Sequence, residues 1–126
     1  MSERKSTFET LGVWKKGREL LNKISKLTKS FPSEEKYRLK DQMIRASRSV
    51  TANIAEGYGR YHYQENIQFC RQARGSLYEL IDHFYVALDE EYIDNNDFNN
   101  YKSDINEVIK ILNGYIKFLE TRKSDK

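Results

Sequence analysis

The side chains in this sequence best suited to chemistry are His83, Cys70 and the carboxylates near them. On a helix, Glu79 lies one turn before His83 and Asp82 directly beside it, so one imidazole and two carboxylates approach a minimal site for a first-row metal. A di-iron carboxylate bundle needs more: two Glu-x-x-His pairs and two further inward carboxylates. No Glu-x-x-His occurs in the 126 residues, and His83 is expected to be a boundary or solvated histidine. Cys70 stands between Phe69 and Arg71 with no histidine placed by sequence to activate it, so it reads as a half-buried structural thiol. The stretch Gly57-Tyr58-Gly59-Arg60 lacks the Gly-Lys-Ser/Thr ending of a phosphate loop and follows a helical pattern, whereas such a loop follows a strand. These residues predict no enzyme and no metal or cofactor site.

Binding of an anionic polymer is a more natural use of the composition. Residues 1–60 carry 14 basic and 7 acidic side chains, net +7, while residues 61–126 carry 8 and 12, net −4. That polarity suits an anionic partner for the first half, or head-to-tail packing of basic on acidic halves between subunits. Lys15, Lys16, Arg18, Lys23, Lys26 and Lys29 fall on the helical face opposite Trp14 and Leu21, interrupted mainly by Glu19. Side chains of this kind contact phosphate without regard to sequence and in a salt-sensitive way. The candidate phosphate contacts are Lys15, Lys16, Lys23, Lys26, Arg48 and Arg60, for RNA or DNA. The aromatic loop "GYGRYHY" offers Tyr58, Tyr61 or Tyr63 for base stacking beside Arg60. The alternative is a scaffold whose charges pair subunits or recruit a protein.

A second polar feature is a ridge. Arg38, Gln42, Arg45, Ser49, Asn53 and Glu56 lie within ~80° of one another on a helical wheel, directly beside an apolar stripe. Polar groups at a core boundary must find partners or cost ~1–3 kcal/mol, so the ridge, comprising Arg45, Ser49, Asn53, Glu56, Ser76 and Glu79, is expected to be internally hydrogen-bonded. Antiparallel pairing places Gly75 and Ser76 near Arg45, and Glu79 within reach of Arg38, Gln42 or Arg45 for an Arg–carboxylate pair. A ligand or nucleic-acid site on the same ridge is the competing reading.

Four amphipathic segments must position these groups. Helical spacing predicts helices over 8–29, 34–56, 62–90 and 97–121 within one domain, residues 1–126. Ser33 after Pro32 is the expected N-cap of the second helix and the glycines from Gly57 its stop. Short connections predict an all-α, antiparallel up-down-up-down four-helix bundle. The stripe of the third helix, which includes Tyr78 and Tyr85, spans roughly 180°, and that of the fourth, with Ile111 and Phe118, about as much. Both exceed the ~100° a surface helix needs, so a homo-oligomer is expected. The interior glycines Gly17, Gly75 and Gly114 each cost about 0.5–1 kcal/mol against alanine, and close helix approach is the expected compensation. One cysteine excludes an internal disulfide, and no apolar run reaches the ~20 residues of a bilayer span, so a cytoplasmic protein without membrane contact is expected.

The runs "FETLGVWKKGREL", "LTKSFPSEEKYRLKDQMIRASRSVTANIAEGYGR" and "FCRQARGSLYEL" resemble the four-helix bundle family of 23S rRNA intervening-sequence proteins over about residues 8–90. The most specific part is Gln42-x-x-Arg45-Ala46-Ser47-x-Ser49-Val50-x-x-Asn53-Ile54-Ala55-Glu56-Gly57-x-Gly59-Arg60, followed by Gly75-Ser76-Leu77-x-Glu79. That family is similar to the accessory variability protein of diversity-generating retroelements, a basic pentameric barrel that binds nucleic acid and a reverse transcriptase. The resemblance implies a ring of five bundles.

Overall fold

The computed structural model describes residues 7–124; the ends of the expected domain, residues 1–6 and 125–126, lie outside the described residues. These are all-helical, with α1 at Gly12–Thr28, α2 at Leu39–Tyr58, α3 at Tyr63–Asp89 and α4 at Asn95–Ser124. Two short 3-10 turns, Phe8–Thr10 and Ser33–Glu35, precede α1 and α2. The apolar stripes meet in one core whose centre, Ile24, Met43, Ile54, Leu80, Phe84 and Leu112, is fully buried. No helix among the described residues is long and apolar enough to cross a membrane.

The first two helices start later than their periodicity predicts. Leu11 is extended at ψ 128° and separates Phe8–Thr10 from α1. Before α2, Pro32 is extended at ψ 148° and Arg38 leaves helical geometry, so residues 33–38 form a turn and not a first helical turn. The expected Ser33 cap is not made. Glu35 does that work instead, accepting the Leu39 backbone N–H at 3.1 Å and the Tyr92 hydroxyl at 2.6 Å.

Tyr92 reaches Glu35 because of how α3 ends. The N–H of Tyr92 bonds the carbonyl of Ala87 and that of Glu91 the carbonyl of Leu88, with Glu91 at φ 63°. This is the paired 6→1 and 5→2 closure that normally uses glycine in the left-handed position. Tyr92 then packs its ring 5.2 Å from that of Phe31. Asp94 caps α4 by accepting the Asp97 N–H at 2.8 Å, which starts that helix two residues before the expected 97.

The glycines divide differently from expectation. Gly17 does meet a neighbouring helix, since a Cβ there would lie 3.3 Å from Thr51 and 3.4 Å from Val50. Gly75 and Gly114 meet nothing within 4 Å, so nothing among the described residues compensates either. Gly57 itself is helical, and α2 ends one residue later at Tyr58 with Gly59 at its C-cap, so the stop falls within the expected Gly57–Arg60 run although no glycine there has positive φ. The role of Gly57 is contact, because a Cβ would fall 2.7 Å from Asn66 Oδ1 and 2.9 Å from Phe69 Cβ on α3. Gly57→Ala is therefore expected to lower unfolding stability in urea by about 1–3 kcal/mol, whereas Gly75→Ala, with open space around it, should raise the stability of a lone subunit by about 0.5–1 kcal/mol.

The Glu35–Tyr92 bond makes stability depend on pH at both extremes. The Tyr92 hydroxyl, then the Leu39 N–H, hold the Glu35 carboxyl below its usual 4.5. The same bond, with burial, pushes the Tyr92 phenol from 10.0 up to about 12. The lowered carboxyl contributes stability above 4.5 that is lost as pH falls through its folded-state value. The raised phenol contributes stability below 10.0 that is lost as pH rises through about 12. Tyr92→Phe should thus differ most from the parent between pH 4.5 and 10.0 and converge with it outside that window, read from denaturation midpoints across pH.

Candidate nucleic-acid interface

The six cations expected to meet phosphate have different fates. Lys23 Nζ reaches across to Asp104 on α4 at 2.6 Å, and that bond raises its pKa. Arg60 Nη2 pairs with Glu56 at 2.9 Å and its guanidinium lies 4.8 Å over the Phe69 ring. Lys16 lies 3.7 Å from Glu19, at the limit of an ion pair. Lys15 and Lys26 on α1 and Arg48 on α2 are exposed and have no ion pair among the described residues. Arg48 stands one turn before the Thr51 that meets Gly17, which places it on the helix neighbouring α1.

Trp14 packs against the core, as its spacing predicts, while its outer edge borders this face. Its ring is half-buried, meets Phe8 edge-on at 5.1 Å and carries the Arg18 guanidinium at 5.8 Å. With Lys15, Asn22, Glu9 and Glu19 these two line a surface cavity of about 400 Å³. An indole edge beside exposed cations can hold an aromatic ring and its phosphate together.

The polar ridge survives in part. Ser49 is its hub: it accepts the Ser76 hydroxyl from α3 at 2.9 Å and the Asn53 amide at 2.9 Å, and its carbonyl accepts the same amide. The expected Arg–carboxylate pair between α2 and α3 is absent. Arg45, 79% exposed, pairs with Asp41 at 3.0 Å, and Glu79 bonds His83 Nε2 at 3.1 Å. Each finds a partner one turn away on its own helix, at lower ordering cost than a reach across the seam. Glu56 likewise turns to Arg60. No group of three or more His, Cys, Asp or Glu among the described residues is placed to hold a metal. Cys70 is fully buried, and burial pushes its thiol up to about 11.

A second cavity lies at the end of the bundle where α2 passes into α3. About 420 Å³ in volume, it is lined by Tyr58 at the end of α2, Tyr61 of the connecting segment and Tyr63 at the start of α3, and by Tyr115, Phe118 and Leu119 of α4. The loop residues are visible as a motif in the sequence. Their α4 partners are not, since more than fifty positions separate them and only packing brings them together.

This architecture defines a class, a four-helix bundle with a cationic face and an interhelical serine knot. The family model for the 23S rRNA-intervening sequence protein matches residues 9–114, and the chain belongs to that family. Among solved structures it is similar to a protein of unknown function from the S23 ribosomal protein family of Bacteroides thetaiotaomicron VPI-5482. The two are 25% identical with a TM-score of 0.77, over 83% of this chain and 95% of the other. No curated protein matches the chain.

The ridge geometry separates two substitutions. Ser49→Ala removes the acceptor of the Ser76 hydroxyl and one of the two acceptors of the Asn53 amide, and is expected to cost about 1 kcal/mol or more. Arg45→Ala removes one exposed pair and should change stability by less than about 0.5 kcal/mol. Urea denaturation of both variants checks the contrast.

Proposed function

We propose that this chain is a non-enzymatic, cytoplasmic helical bundle that assembles with copies of itself and holds nucleic acid on the basic face of α1. The observation that carries the binding is the presence of exposed cations without ion pairs on α1 and α2, Lys15, Lys26 and Arg48 among them, with Lys15 lining the Trp14–Arg18 cavity. Such a face gives counterion-driven affinity for phosphate regardless of sequence.

Assembly is supported by α3, where Tyr78 is 56% exposed and Tyr85 and Val86 are also open to solvent. Gly75, one turn before Tyr78 and Glu79, keeps open space that another helix could enter. Antiparallel order is supported by the pairs Gly57 with Asn66, Ser49 with Ser76, Phe84 with Tyr101 and Lys23 with Asp104. A five-membered ring of up-down-up-down bundles, as in the accessory variability protein of retroelements, is the proposed form.

A second reading, a scaffold for a protein partner, is favoured by the internal neutralisation of Lys23 and Arg60. Titration against RNA and duplex DNA at several salt concentrations separates the two. Binding should weaken linearly on a log–log salt plot, and a Lys15→Ala, Lys26→Ala double variant should flatten the duplex slope by about 2. Absence of binding even at low salt, with assembly intact, would leave the scaffold. Light scattering that finds a monomer at micromolar concentration would remove the ring.

A further inference from the structure

The end cavity has a different character from the basic face. Its walls are aromatic: Tyr58 and Tyr61 on one side, Tyr115 and Phe118 on the other, the last two stacked with rings 6.4 Å apart and 17° from parallel. Its volume of about 420 Å³ lies within the ~300–1,000 Å³ of small-molecule sites. Tyr61 is 92% exposed and Phe118 54% exposed, so the aromatic faces at the mouth are available.

Polar groups converge on the same space. Asn66 is 7% exposed and donates its amide to the Tyr115 hydroxyl at 3.3 Å, while its carbonyl oxygen accepts the Cys70 thiol at 3.6 Å. The Tyr115 hydroxyl therefore has its own proton to offer, with no acceptor for it among the described residues. Arg60 reaches the rim with its charge already matched by Glu56. A wall of tyrosine and phenylalanine rings with the His62 imidazole beside Tyr61, an oriented hydroxyl donor and a compensated guanidinium suit a flat heterocycle with polar edges. They do not suit a bare phosphate, which would need unmatched positive charge.

We infer that this cavity receives an unpaired nucleobase, stacked between the loop tyrosines and the Tyr115–Phe118 pair, from a single-stranded stretch of nucleic acid. The inference rests on the nucleic-acid reading and deepens it. The basic face of α1 holds backbone in any conformation, and the end cavity selects for strands whose bases are free. A base inside a duplex stays stacked on its neighbours and must be taken out of the helix before it can enter. One further cation can meet a flanking phosphate: Lys123, bonded to Gln64 next to Tyr63.

The test uses the full chain and two exposed substitutions, Tyr61→Ala and Phe118→Ala, which leave the core untouched. Each should weaken binding of a short single-stranded oligonucleotide by about five-fold or more, the usual effect of losing one base-stacking ring. Neither should change affinity for a duplex of matched length, whereas the Lys15→Ala, Lys26→Ala variant should weaken both. RNA and DNA versions of the single strand show which sugar is preferred. In parallel, adenosine should shift the ring resonances of Tyr61, Tyr115 and Phe118, and inorganic phosphate should not. Strand binding that both aromatic variants leave intact, with no adenosine shifts, would overturn the cavity and keep the basic face. Adenosine shifts without strand or duplex binding would remove the basic face and overturn the strand inference, leaving only a site for a free heterocycle, and failure of both measurements would remove both.

Discussion

The bundle turns on one missing side chain. Gly57 lets α2 approach α3 so closely that a single methyl would strike Asn66 and Phe69. Asn66 is the relay from that contact, because its amide holds Tyr115 of α4 and its carbonyl oxygen takes the Cys70 thiol. One close approach thus aligns three helices, and the Tyr58–His62 segment is held against the end of α4 as a result. The aromatic cavity adjoins this contact, since Asn66 and Tyr115 both line it. Packed interiors transmit a displacement of this kind, since they contain little free volume to absorb it.

The opposite end is closed by different physics. Glu91 adopts a left-handed conformation that L-residues usually avoid at a cost of roughly 1–2 kcal/mol. The closure it permits turns Tyr92 back onto Phe31 and Glu35. Glu35 in turn serves two donors from separate parts of the chain. A strained turn, an aromatic contact and a shared carboxylate together tie the α1–α2 connection to the α3–α4 connection. Surface ion pairs such as Arg45–Asp41 add little to this framework, because exposed pairs are worth ~0–1 kcal/mol. Lys15, Lys26 and Arg48 are exposed and make no ion pair among the described residues.

Much of this was legible from spacing. The core faces of all four helices follow the 3.6-residue period, and Met43, Val50, Ile54, Leu77 and Leu112 are buried as that period requires. Ser76 does bond within the ridge, but to Ser49, one turn beyond the Arg45 level at which the spacing placed it. The same arithmetic misassigned Arg45 and Glu79, because it counted reach between helices and neglected nearer partners on the same helix. Gly57 was legible as punctuation near the end of α2 but not as a contact, since chain punctuation and close contact leave the same mark in a sequence.

The sequence by itself determined helix content, the buried stripes, the cationic character of α1 and the family to which the chain is related, since periodicity, charge and motif are all local in the chain. Only the tertiary structure decided which glycines touch a neighbour, that Glu35 and not Ser33 caps α2, that Trp14 opens onto the surface, and that Tyr115 and Phe118 complete a cavity begun by Tyr58 and Tyr61. The physical reason is shared by all four. Each depends on distances between segments far apart in the chain, and those distances follow from how whole helices pack rather than from the preferences of the residues that end up in contact.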